Sequence, residues 1–201
     1  MIKQNNYLLS TCAKDLILVF VINIMSCGND NYVPKPRAYF RINLPEKEYK
    51  LFDSIYPYTF EYPVYSRITP YTGSLKEKYW INLIFPAYNA EIHISYKTIT
   101  NNLDTLLQDA DILANKHIPK ANDIIFTKIL RDSANVYGLI YEITGTGVAS
   151  PYQFYLTDST DNYLRGALYF KVTPNNDSLA PVIDFIKEDI QHLINSFKWN
   201  N

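Results

Sequence analysis

Apolar and polar residues recur along this chain with two periods, and the switches between them mark its elements. Strand-like spacing is predicted over 58–64, 79–85 and 91–99. The third is the clearest: Ile92, Ile94, Tyr96 and Thr98 alternate with Glu91, His93, Ser95 and Lys97, giving one buried and one wet face. Pro63 sits near the end of the first strand and Pro86 stops the second. The period then lengthens. Leu103, Leu106, Leu107, Ala110, Leu113 and Ala114 share one face of a helix that Asn101 or Asn102 can cap and Pro119 ends. Four more strands follow over 123–130, 136–144, 152–157 and 163–172, with Tyr137, Leu139, Tyr141 and Ile143 on one face of the second. Turns at 145–147 and 158–162 connect them. A last helix, capped by Ser178 with Pro181 in its first turn, carries Val182, Ile183, Ile186, Ile190, Leu193, Ile194 and Phe197 as its stripe. The expected fold class is α+β: a mostly antiparallel sheet covered by two main helices.

The N-terminal part follows neither period. An apolar run over 16–25, broken only by Asn23, is too short to cross a bilayer, which needs about 20 residues. It has the length of a signal-peptide core, preceded by Lys3 and Lys14. The run ends in Ile24-Met25-Ser26-Cys27-Gly28, the outline of a bacterial lipobox. In that reading Cys27 takes a diacylglyceryl group through its thiol, and cleavage before it removes residues 1–26. Cys12, the only other cysteine, leaves with the signal, so no disulfide can form. Several acyl chains make a stable anchor, where one alone binds only marginally. The anchor then faces the periplasm, at either the inner or the outer membrane. Residues 27–56 form a lipidated tether and an irregular segment rich in proline and tyrosine. Residues 57–201 form a single α+β domain.

Composition narrows the function classes. The chain of 201 residues is 47% hydrophobic and 15% aromatic, with 18 tyrosines and 10 phenylalanines, enough for a packed core rich in strands. Its formal net charge of -1 offers no basic excess for phosphates, so nucleic acid is not an expected partner. Lys35 and Arg37 can meet anionic headgroups, but two charges are worth only about 2 kcal/mol and adjust orientation at most.

Candidate chemistry is sparse. His93, His117 and His192 have no partner at helical zinc spacing and read as surface or helix-end residues. Gly145-Thr146-Gly147 lacks the lysine and helix start of a phosphate loop and reads as a turn. Asp104, Asp109 and Asp111 lack a second ligand group, and Asp158, Asp161 and Asn162 read as a solvated turn. No catalytic residue, cofactor or metal is expected. Tyr49, Tyr56, Tyr58, Tyr62, Tyr65 and Tyr71 crowd a proline-rich stretch, where burial is the favoured reading with a few rings left for contact. Lys35, Arg37, Tyr56, Tyr58, Tyr62 and Tyr65 are the candidate partner-contact residues.

The ordered set "SCG", "PKPRAYFRINLPEKEYK", "YWINLIFP", "NNLDTLLQDADILANKHIPKA", "VYGLIYEITG", "YQFYLTDS" and "GALYFKVTPNNDSLAPVIDFIKEDIQHLINSFKW" resembles the GldD family of gliding-motility lipoproteins of Bacteroidota. The likeness runs from the lipobox to Trp199 and is weakest around residues 65–77. It implies an accessory lipoprotein of the gliding and type IX secretion machinery, with envelope proteins as partners and no catalytic residues to transfer. Cys27 is the one functional position that carries over. The element order also resembles the Mog1/PsbP-type α/β/α sandwich, with "YTFEYPVYS" and "INSFKW" at its first strand and closing helix. The alternative class is a periplasmic glycan- or small-molecule-binding lipoprotein. A deep aromatic pocket with convergent polar groups favours that class, and a flat apolar surface favours an adaptor.

Overall fold

The computed structural model describes residues 42–73 and 77–200. Cys27, Lys35 and Arg37 lie outside the described residues, as do the signal peptide and the first part of the tether. The strands are β1 (Tyr49–Phe52), β2 (Tyr58–Pro63), β3 (Arg67–Pro70), β4 (Ile81–Phe85), β5 (Ala90–Thr98), β6 (Asp123–Arg131), β7 (Val136–Thr144), β8 (Tyr152–Thr157), β9 (Asn162–Phe170) and β10 (Lys198–Trp199). The helices are α1 (Leu103–Asn115) and α2 (Asn176–Ser196). The expected α+β class is the observed one. Seven strands make one sheet in the order β3-β4-β5-β9-β8-β7-β6, and β1-β2-β10 make a second. Every pairing in both sheets is antiparallel.

The strand order explains where α1 lies. The chain leaves central β5, crosses to the far edge at β6, and returns through β7 and β8 to place β9 beside β5. The crossing element is α1, and its buried Leu106, Ala110 and Ala114 settle on one face of the large sheet. Tyr163 donates its hydroxyl to the Leu106 carbonyl, and Ala114 packs with Tyr141, Ile143 and Val148. Leu103, Leu107 and Leu113 of the expected stripe are half-buried. Thirteen residues span only about 20 Å at 1.5 Å per residue, and between α1 and the β4–β5 strands a cleft remains.

The opposite face holds the main core. Period-two register stacks Leu83 beside Ile92, Ile92 beside Leu168, and Phe154 beside Gly166. Val182, Phe185, Ile186, Ile190, Leu193 and Ile194 of α2 close over this surface, joined by Tyr58 and Phe60 of β2. Each such large side chain, fully buried, contributes roughly 1.5–3 kcal/mol. Gly166 is required in that layer. A Cβ there would come within 2.3 Å of the Phe154 ring, which lies flat over the glycine. Arg131 of β6 donates to the carbonyls of Ile194 (2.7 Å) and Phe197 (2.9 Å), satisfying the C-terminal end of α2.

Several expectations shift. The segment expected to be irregular contains β1, whose four residues pair with β2 from Tyr49 opposite Pro63 to Phe52 opposite Phe60. Strand β3 was not expected: it is short and begins with an exposed arginine, so its pairing with β4 comes from the sheet and not from its own pattern. The second expected strand begins at Ile81, because Tyr79 adopts a left-handed φ of 66° that breaks the extended run. Thr98 ends β5 exposed. Asn102 occupies the first cap position, but its side chain accepts from the Thr100 N–H instead (2.8 Å), while Asn101 takes a positive φ. Helix α1 stops at Asn115, and Pro119 lies in the separate short helical turn Ile118–Lys120. Helix α2 starts three residues early, at Asn176, because Asn175 and not Ser178 is its cap and accepts from the Ser178 N–H; Pro181 therefore falls beyond its first turn. Strand β7 is buried on both faces: Tyr141 and Ile143 on one, Val136 and Ile140 on the other.

Candidate functional site

The described part of the tether locks onto α2 through a buried acid. Asp189 is 1% exposed and interrupts the apolar stripe of α2 between Ile186 and Leu193. Lys47 Nζ donates to its Oδ1 (2.7 Å) and to the Phe185 carbonyl (2.6 Å), and stands 3.4 Å from the Phe185 ring centre. Tyr49 donates to Oδ1 (3.0 Å), and Tyr65 donates to Oδ2 (2.7 Å). Burial, the hydrogen bond to Asp189 and its charge push the Tyr65 phenol up from its ordinary value. Burial and the Asp189 charge do the same to Tyr49. A buried carboxylate costs several kcal/mol unless paired, and here one cation and two hydroxyls pair it. Asp189 therefore fixes the segment that joins tether to domain. Beside it, Tyr49 stacks on His192 at 3.6 Å, and His192 meets Glu61 at 2.6 Å.

The candidate contact tyrosines divide. Tyr58 is fully buried and donates to the Tyr79 carbonyl (2.6 Å), so it presents no surface to a partner, which corrects that expectation. Tyr65 is half-buried and committed to Asp189 and to the Phe185 ring. Tyr56 and Tyr62 are half-buried and keep part of their surface open. Tyr56 meets Phe52, Tyr58 and Tyr79 ring to ring, and Lys50 lies over Tyr62 at 4.9 Å. The aromatic crowding is mostly internal packing.

The larger open surface is the edge strand β6. It runs nine residues and, among the described residues, pairs only with β7. Ile125, Phe126 and Leu130 are 47%, 55% and 72% exposed, and Ile118 in the turn leading into β6 is also exposed. Long apolar edges invite pairing with another chain, and proteins usually blunt them. The other edge is blunted: β3 has four residues and ends in Pro70.

Other candidates resolve into structural roles. Glu91 binds His93 (2.8 Å) and Lys171 (2.8 Å). Burial pushes its carboxyl up, but those hydrogen bonds outweigh it and hold the group below its ordinary value. The Asp158 carboxylate accepts from the N–H groups of Thr160, Asp161 and Asn162 and from Asn162 Nδ2, so its oxygens are already used. Burial pushes its carboxyl up and these donors more than reverse it. Gly145 sits at φ 141°, and Asn176 Nδ2 donates to the carbonyls of Gly145 and Val148, which makes the Gly-Thr-Gly stretch a turn. Asp111 accepts from the Tyr141 hydroxyl, while Asp104 lies in the first turn of α1. Among the described residues no group of three metal-ligating side chains converges, and no helix is long and apolar enough to cross a membrane.

On the α1 face of the large sheet lies a cleft of about 330 Å³. Its floor is the polar row of β5 with Tyr163 and Arg165 of β9, and its walls are Trp80 and α1. Sequence reasoning placed His93, Ser95 and Lys97 on a wet face but did not find the cleft, nor did it single out Asp189, Lys47 or Arg165. Asp189 left a signal: a carboxylate at the i+3 position from Ile186 inside an apolar stripe requires a partner.

The sequence model of the family described as gliding motility lipoprotein GldD matches residues 29–199. No curated protein matches the chain. A solved structure similar to it is the solution structure of cyanobacterial PsbP (CyanoP) from Synechocystis sp. PCC 6803, at 11% identity and a TM-score of 0.46, covering 84% of this chain and 100% of that one.

Proposed function

We propose a function on one premise: the chain belongs to the GldD family of gliding motility lipoproteins. As a lipoprotein of that family it is membrane-anchored. Its role is that of a non-catalytic adaptor for the gliding and type IX secretion machinery, held on the periplasmic side by lipid on Cys27. Tethering raises local concentration, so modest contacts suffice for assembly. The observation that supports an adaptor best is the β6 edge, nine residues long with Ile125, Phe126 and Leu130 exposed. Its fitting occupant is an extended segment of an envelope protein that adds a strand and covers those side chains. The Asp189 cluster supports the same reading, because it makes the junction between tether and domain firm.

Two substitutions test the reading. In native envelopes, Phe126→Glu with Leu130→Glu is expected to abolish crosslinking to membrane components of the gliding machinery and to impair gliding or secretion. Both side chains are exposed, so thermal stability should change by no more than about 2 °C. Wild-type crosslinking and motility in that variant would sink the edge as the contact surface. Cys27→Ala is expected to remove palmitate labelling and release the protein from membranes; labelling that persists refutes lipidation at that residue.

A further inference from the structure

The cleft beside α1 has a charge balance that no described residue completes. Strand alternation puts His93, Ser95 and Lys97 on one face of β5, and cross-strand pairing sets Ser95 opposite Arg165 and Lys97 opposite Tyr163. Arg165 donates to Gln153 Oε1 (2.5 Å) and has no carboxylate partner among the described residues. Gln153 is 1% exposed, and its Nε2, next to that bond, has no partner among the described residues. A buried amide thus orients a half-buried guanidinium whose charge stays unneutralised, and such a group is a ready partner for a carboxylate. Glu91, the nearest acid on β5, is already held by Lys171 and His93. The opposite wall supplies Asp109 of α1, exposed and unpaired among the described residues.

Two further features narrow the ligand. The Trp80 indole is fixed by its hydrogen bond to the Tyr96 carbonyl (2.7 Å), and Tyr71 stands against it at 5.4 Å. Aromatic faces carry partial negative charge and suit the apolar C–H face of a sugar ring. The volume lies at the low end of the roughly 300–1,000 Å³ range for small-molecule sites, which suits a mono- or disaccharide. Asp109 would repel a bare inorganic anion at the mouth, yet it accepts hydrogen bonds from sugar hydroxyls. Two other concavities among the described residues lack this combination. One is built around the Asp158 turn, whose acid is already satisfied, and the other lies at the rim over 77–79 and 96–98.

We infer that this cleft binds an acidic saccharide, its carboxylate on Arg165, its ring against Trp80 and its hydroxyls toward Asp109 and Ser95. The inference stands apart from the adaptor reading, since the cleft and the β6 edge share no residue.

The test is calorimetric titration of the full-length lipoprotein in detergent with glucuronate, digalacturonate, glucose and inorganic sulfate. A uronate is expected to bind at least tenfold more tightly than glucose or sulfate. Arg165→Gln should weaken it at least tenfold, and Asp109→Ala, on an exposed position where folding is not at stake, should weaken it several-fold. Far-ultraviolet circular dichroism of each variant confirms the fold. No uronate binding, equal binding of sulfate, or unchanged affinity in both variants overturns the inference. Digalacturonate binding more tightly than glucuronate would place two rings in the cleft, and equal affinity one ring; each outcome supports the site.

Discussion

Asp189 and Arg165 are two charges withdrawn from bulk water on different sides of the large sheet, and the protein treats them differently. Asp189, on α2, receives a cation and two hydroxyls from Lys47, Tyr49 and Tyr65, all donated by the segment between tether and sheet. Arg165, on β9, receives one amide oxygen and no counter-charge among the described residues. A buried charge that the chain completes for itself serves the fold, because breaking it leaves an uncompensated ion. A half-buried charge that the described residues leave incomplete is a group that a ligand can pair. Deletion should therefore strike stability in the first case and ligand binding in the second.

The largest effect is expected at Asp189. Asp189→Ala strands Lys47 and two phenols and should cost about 3 kcal/mol, reduced somewhat because Lys47 can reach water. For a domain of this size that is a fall of roughly 6–12 °C in Tm, readable by calorimetry. A double-mutant cycle with Lys47→Met sharpens the comparison, with an expected coupling of about 1–3 kcal/mol. Additive losses would mean that the cluster is not a unit.

A smaller effect is expected from alkali. The folded phenols of Tyr49 and Tyr65 are held above their ordinary 10.0, so their contribution is complete below that pH and is lost as pH rises toward the folded values. Tyrosine absorbance should show a late-ionising fraction that disappears on unfolding. Asp189→Asn should advance it. Identical titration curves for the variant and wild type would break the assignment.

The smallest effect on stability is expected at Arg165. Arg165→Met exposes no new buried ion but leaves the buried Gln153 oxygen without its donor, a loss of about 1–2 kcal/mol. That is roughly 2–8 °C in Tm, below the loss at Asp189. A larger fall than at Asp189 would reverse the contrast and make Arg165 a structural residue.

Sequence alone determined the elements whose own pattern is strong. The strict alternation in β5 and the apolar stripe of α2 each bury one row of side chains, the unbroken length of β7 buries both of its rows, and burial is the dominant favourable term, so their pattern reports their form. The α+β class follows from their order, and the family from the spacing of motifs along the chain. Cys27 belongs to the same kind of evidence, as a local motif in the sequence. Tertiary structure decided the rest. β1, β3 and β10 have too few residues to declare a period and exist because a neighbouring strand offers its free groups. Lys47 and Asp189 stand 142 positions apart, and Gln153 and Arg165 meet across β8 and β9. Which charges find partners, and which face outward to wait for one, depends on distances through space that no local spacing encodes.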